Sequence, residues 1–204
     1  MKNRAFIRRL RNCSPVALTG RSTMDLFEAV EKRRSIRKFK HESVATEDLK
    51  RILEAGRLAP SGGNRQPWYF IVVRHPEAKR ALSIAANNQK FVADADTVIA
   101  ALGDPTASTA KLPYTLSSTR IPYKQDPMIP VEHMILAATA LGYGTCWIGA
   151  FNEDEVKKIL QIPENLAVVA LLLIGVPDEH PSQRPRKAFT GIFLKESFGT
   201  PFDL

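Results

Sequence analysis

The segment Leu166-Ala167-Val168-Val169-Ala170-Leu171-Leu172-Leu173-Ile174 has no polar position and is closed by Gly175. A membrane span needs ~18 or more such residues, so this run has the length of a strand. Without a polar face it must be covered on both sides, which puts it in the middle of a sheet. Trp68-Tyr69-Phe70-Ile71-Val72-Val73 is aromatic and β-branched, too short for a typical helix, and reads as a second buried strand. Thr97 to Leu102 reads as another interior strand, and Thr145-Cys146-Trp147-Ile148 as a fourth.

Helices fill the intervals. Asp25 followed by Glu28 is a capping-box start for a helix that delivers the chain to Arg33. Thr46 as a cap, Glu47 and Asp48 in the first turn, and Leu49, Ile52 and Leu53 on one face predict a helix running toward Ala59 and stopping before Pro60. Pro76 to Ala86 reads as the next helix. Met134, Ala137, Ala138 and Leu141 give another, with its start displaced to about Val131 by Pro127 and Pro130 and its end at Gly142. Asn152 and Glu155 start a last helix that reaches Leu160. Such alternation predicts an α+β chain, a three-layer α-β-α sandwich with a mixed central sheet. Between Gly103 and Pro130 five prolines and many hydroxyl residues interrupt any period, so this stretch reads as a surface excursion and a candidate lid, with Tyr114 and Tyr123 as possible stacking residues. The tail from Pro177 to Leu204 has no strong period and is expected to wrap a neighbour.

With 204 residues, 44% of them hydrophobic, the chain has material for a single core. Its formal charge of +8 is spread along the sequence and interleaved with acids, without aromatic interleaving or a nucleic-acid module, so a phosphate-bearing small ligand fits better than nucleic acid. Cys13 and Cys146 lie far apart with no metal-ligand spacing, which implies a reduced, cytoplasmic protein without a structural metal, and the lack of a span-length apolar run places it away from membranes. His41, His75, His133 and His180 fall in no catalytic or metal pattern. Residues 1–23 are basic and carry no acid; they read as a poorly ordered, dispensable extension ahead of a start at Met24, with something of the look of a transit peptide.

Three clusters carry chemistry. Arg33-Arg34-Ser35-Ile36-Arg37-Lys38-Phe39 sets three guanidiniums and a hydroxyl at a helix end, able to donate charge-assisted, bidentate bonds to a phosphate; alone, it is equally a solvated basic helix end. Pro60-Ser61-Gly62-Gly63-Asn64-Arg65-Gln66-Pro67-Trp68 is a turn-rich loop whose glycines let backbone amides approach a flat or anionic ligand. Gly142-Tyr143-Gly144-Thr145-Cys146-Trp147-Ile148-Gly149-Ala150-Phe151 is a strand exit with free amides, or a tight crossover that uses glycine for packing.

In this order, the three clusters resemble the FMN-dependent nitroreductase family over about Met24 to Gly175, and only weakly in the tail. The resemblance implies an FMN-binding domain over residues 24–204. It implies that Arg33 and Ser35 hold the FMN phosphate, with Arg34 contributing backbone contacts, and that Arg37 lies beside the flavin's pyrimidine edge. Pro60, Ser61, Gly62 and Asn64 then reach the flavin from the partner subunit of a homodimer whose tails are exchanged. Ile148, Gly149 and Ala150 bring backbone amides toward flavin N5 and O4. Many relatives carry a glutamate at the position of Gly149. Arg186, with Arg184 second, completes the phosphate site, and Asn88 or Gln89 meets the pyrimidine ring.

The implied activity is ping-pong reduction of flat, electron-poor acceptors such as nitroaromatics or quinones by NADH or NADPH, with no protein acid or base required. Within the same resemblance, reductive dehalogenation, ring dehydrogenation and a slow-turnover FMN-binding protein are the alternatives. A basic nucleic-acid binder without redox chemistry is the alternative from another class.

Overall fold

The computed structural model describes residues 24–109 and 121–202. In chain order its elements are α1 (Leu26–Lys32), α2 (Thr46–Arg57), a 3-10 turn (Gly62–Asn64), β1 (Trp68–Val73), α3 (Pro76–Ala85), α4 (Phe91–Asp94), β2 (Thr97–Gly103), α5 (Pro105–Thr109), α6 (Pro122–Gln125), α7 (Met128–Ala140), β3 (Gly144–Ile148), α8 (Glu153–Leu160), β4 (Ala167–Gly175) and a second 3-10 turn (Phe189–Gly191). Residues 1–23 and Tyr114 lie outside the described residues.

The four strands form one sheet in the order β1-β2-β4-β3, and every neighbouring pair runs antiparallel. The expected mixed sheet is therefore corrected: among the described residues, the parallel pairing is the isolated bridge between Ser35 and Thr145. The reason lies in the α3–α4 connection. Lys79, early in α3, donates to the carbonyls of Ala95 and Asp96, just ahead of β2. The connection thus doubles back and re-enters the sheet at the end it left, which gives an antiparallel neighbour in place of a parallel crossover.

β4 is interior, as its unbroken apolar run requires. Side chains alternate across the sheet. Val98, Ala100, Leu102, Leu171 and Leu173 join a core with Leu82 of α3 and Val156 of α8, while Ile99, Ala101, Leu172 and Ile174 join another with Ile52 of α2 and Met134 of α7. β1, expected to be buried, is an edge strand among the described residues, and Tyr69 and Val72 are exposed.

Two helix starts follow local chemistry. Asp25 accepts from the Glu28 amide at 2.8 Å, and Asn152 from the Glu155 amide at 3.1 Å. The helix at Pro76 starts where expected, and two other starts differ from expectation. Thr46 is the first residue of α2 and Ala45 its N-cap, without a side-chain cap bond. The Tyr143 hydroxyl serves that end instead, accepting from the Ala45 amide and donating to Asp48. α7 starts at Met128 rather than Val131. Pro130 is its third residue, where a helix has no use for an N–H, so the ring is accommodated without loss of a bond.

The segment after α1 is threaded beside the sheet. The Ile36 amide donates to the Thr145 carbonyl of β3, the Lys40 amide to Val176, and the Asp178 amide back to Lys38. This clasp makes the chain leave β4 alongside the basic segment that began at Arg33.

Candidate functional site

The clasp has a direct consequence for charge. Arg33, Arg34, Ser35 and Arg37 face Pro181, Ser182, Arg184 and Arg186 across one cleft of ≈ 330 Å³. Five guanidiniums and two hydroxyls line it, and no carboxylate does. Arg33 caps the C-terminal end of α1 and has left helical geometry, with φ −55° and ψ 127°. Arg34 turns back and donates to the Glu31 and Arg33 carbonyls, which fixes its guanidinium beside the helix end. The Arg37 amide donates to the Glu179 carboxylate, and Arg186 reaches the Arg184 carbonyl at 3.3 Å. Such a donor set suits a phosphate dianion, since guanidinium forks match phosphate oxygens and the surplus positive charge needs a partner.

Acids stand around the cleft rather than in its lining. The Glu132 carboxyl of α7 is held above the usual carboxylate range by desolvation, opposed by Arg33 and then His133. On the core side, burial pushes the Cys146 thiol up; Arg37 and Arg33 pull it down and Glu179 adds to the rise.

The loop Pro60, Ser61, Gly62, Asn64 does not line this cleft. It is built as a tight hub: Gly63, Asn64 and Gln66 all have left-handed φ, at 60°, 54° and 49°. Glycine takes this conformation freely and asparagine readily, so Gln66 is the residue whose surroundings must hold it. The Ser61 hydroxyl accepts from the Gln66 amide at 2.8 Å, the Gln66 side chain donates to Asn64, and the Gly62 amide donates to Asp126 at 3.2 Å.

At the exit of β3, Gly149 and Ala150 are exposed, whereas the Ile148 side chain belongs to the core and leaves only its backbone to a ligand. A Cβ at Gly149 would meet nothing nearer than 3.7 Å, so the glycine is not forced by packing. The Ala150 carbonyl accepts from both Asn87 and Gln89. Gln89 also donates to Ala86 at 2.8 Å, so its amide nitrogen serves backbone carbonyls. Asn88 sits beside it in left-handed geometry, φ 58°.

Sequence reasoning missed Pro181 and Ser182 in the cleft, Asp126 under the loop, and Asn87 at the strand exit. Ser182 had a usable signal, its closeness to Arg184 and Arg186. Asp126 and Asn87 had none, because their partners lie far away in the chain. Among the described residues, no group of three or more His, Cys, Asp or Glu could hold a metal ion, and no helix is long and apolar enough to cross a membrane.

Residues 30–176 match the family model described as the nitroreductase family. A protein of Archaeoglobus fulgidus, provisionally designated an NADH dehydrogenase/NAD(P)H nitroreductase, is 36% identical over 151 residues, or 72% of this chain and 82% of the relative. The solved structure of a nitroreductase family protein from Clostridium novyi is 35% identical, covers 88% of this chain and 97% of its own, and superposes with a TM-score of 0.70. An NADPH:FMN oxidoreductase from Vibrio harveyi, solved with NAD+, is 25% identical, covers 85% of this chain and 77% of its own, and superposes with a TM-score of 0.76.

Proposed function

The chain belongs to the nitroreductase family, and from that premise we propose that it is an FMN-dependent, NAD(P)H-oxidising cytoplasmic enzyme that reduces flat, electron-poor acceptors such as nitroaromatics or quinones. The observation that carries the reading is the basic cleft, because two segments distant in sequence converge there with five guanidiniums and two hydroxyls. The residues fit FMN: its phosphate needs a dianion site, and five guanidiniums with two hydroxyls supply one without an opposing carboxylate.

In this reading Arg33, Ser35 and Arg186 hold the phosphate, with Arg34 and Arg184 beside them. Arg37 sets a cation at the pyrimidine edge, where negative charge gathers on reduction. Ile148, Gly149 and Ala150 offer backbone amides to the flavin's N5 side, and Gln89, with Asn87, holds the Ala150 end of that segment in place. Gly149 leaves room for an acceptor where a longer side chain would intrude. Pro60, Ser61, Gly62 and Asn64 complete the site across a homodimer of three-layer subunits, each built from residues 24–204, with the tail reaching over its neighbour. Bound there, FMN would supply the redox chemistry between NAD(P)H and the acceptor, by the ping-pong route proposed here. No side chain of the cleft has to move a proton; the protein positions and polarises.

The test is the visible spectrum of the purified protein before and after anaerobic NADH or NADPH. The expected result is flavin absorption that bleaches with at least one nicotinamide, together with weak flavin retention and an intact fold in Arg33→Ala. A protein that stays colourless after incubation with FMN overturns the reading. Bound flavin that neither nicotinamide reduces favours an FMN-binding protein over a reductase.

A further inference from the structure

The loop at Pro60–Asn64 has a hold from outside itself, and the structure shows where it comes from. Asp126 follows α6 directly and is buried, 4% exposed, with its carboxylate oxygen accepting from the Gly62 amide at 3.2 Å. α6 is itself fixed against the sheet. The Tyr123 carbonyl lies so close to Gly103, at the end of β2, that a Cβ there would stand 1.7 Å from the oxygen. The Asp104 amide, next in the chain, donates to Pro67 at the far end of the same loop. One rigid edge of the sheet therefore clamps α6, and α6 presents a buried carboxylate to the loop's least substituted amide.

We propose that Asp126 is a positioning residue for the flavin-contacting loop. Through Gly62 it sets the height and orientation of Ser61 to Asn64. This rests on the reading that the loop contacts FMN. Its chemistry is specific: the Gly62 N–H donates to a buried side-chain oxygen, and loss of that oxygen leaves the amide without that acceptor.

Three full-length variants test it. Asp126→Asn keeps an oxygen that can accept from Gly62; Asp126→Ala removes it; Asp126→Leu fills the space without an acceptor. Two readouts are used: FMN dissociation by fluorescence quenching, and hydrogen exchange of the 60–66 segment in flavin-free protein. Ala and Leu are expected to raise the FMN dissociation constant about tenfold and to speed exchange of the 60–66 segment, while Asn stays within about twofold of the parent. A merely structural role would lower the melting temperature in all three and leave the flavin affinity and loop exchange of the folded fraction unchanged. That outcome overturns the proposal, as does an Asn variant that loses flavin as fully as Ala. If the parent protein itself takes up no FMN, the functional reading fails, and loop exchange alone decides whether Asp126 positions the loop.

Discussion

At Cys146 burial and charge act on one thiol in opposite senses. The side chain is 2% exposed and its pKa lies above its ordinary 9.0, because burial outweighs the pull of Arg37 and Arg33. A raised folded-state pKa contributes stability that is fully present below the unfolded value and is lost as pH rises through the folded one. The urea midpoint of the parent protein should therefore fall more steeply above pH 9.0 than that of Cys146→Ala, whose alkaline profile lacks this group. Parallel profiles would show that the thiol does not ionise differently in the two states. Single residues were legible where their partner is close in sequence, as with Asp25 and Asn152, each of which caps an amide three residues on. They were illegible where a distant side chain took over. Thr46 looked like a cap, yet Tyr143 arrives from beyond α7 to serve Ala45 and Asp48.

Elements were readable in proportion to how little they depend on one another. β4 declared its interior place because no polar position offered a solvent face. β1 did not declare its edge position, since nothing in six apolar and aromatic residues says whether a neighbour pairs on the second side. The antiparallel return into β2 was hidden for the same reason, as it depends on α4 folding back so that Lys79 meets the carbonyls ahead of β2. α6 shows how an element this short is held by backbone contact. Gly103→Ala would put a methyl group into the Tyr123 carbonyl, and backbone offers no rotamer of escape. The expected cost is about 2–3 kcal/mol, or roughly 5–10 °C in melting temperature. Gly191→Ala, where a Cβ meets nothing within 4 Å in its own subunit, is the control and should change the stability of the subunit by less than about 0.5 kcal/mol. Equal melting temperatures for the two variants would mean that α6 is not clamped at this point.

For the molecule as a whole, the sequence supplied each half of the basic cleft but not their meeting, which depends on the clasp of residues 36–40 with Thr145 and Val176–Asp178. Beyond that clasp the chain turns outward. Phe189, Ile192, Phe193 and Leu194 are exposed, and Phe198 is 99% so, although Phe189 and Phe193 stack with ring centres 4.3 Å apart. Leu26, Phe27 and Val30 form a second exposed apolar stripe on α1, with Phe27 83% exposed. Two such surfaces on one small protein exceed what a monomer ordinarily leaves in water. In the homodimer proposed above they are covered by the second copy, and the loop at Gly62 reaches the flavin of that copy. Assembly and flavin content must then fall together. Phe198→Asp and Phe193→Asp each remove an aromatic side chain whose burial is worth about 1.5–3 kcal/mol, and a homodimer carries each change twice, so association should weaken roughly a hundred- to ten-thousandfold per substitution. Light scattering across a dilution series, read beside FMN absorbance in each fraction, should show the variants passing to monomers and losing flavin at the same concentration, with Arg33 and its cleft untouched. A parent protein that is monomeric at micromolar concentration while holding one flavin per chain would overturn the dimer and leave the basic cleft as a complete site within a single subunit.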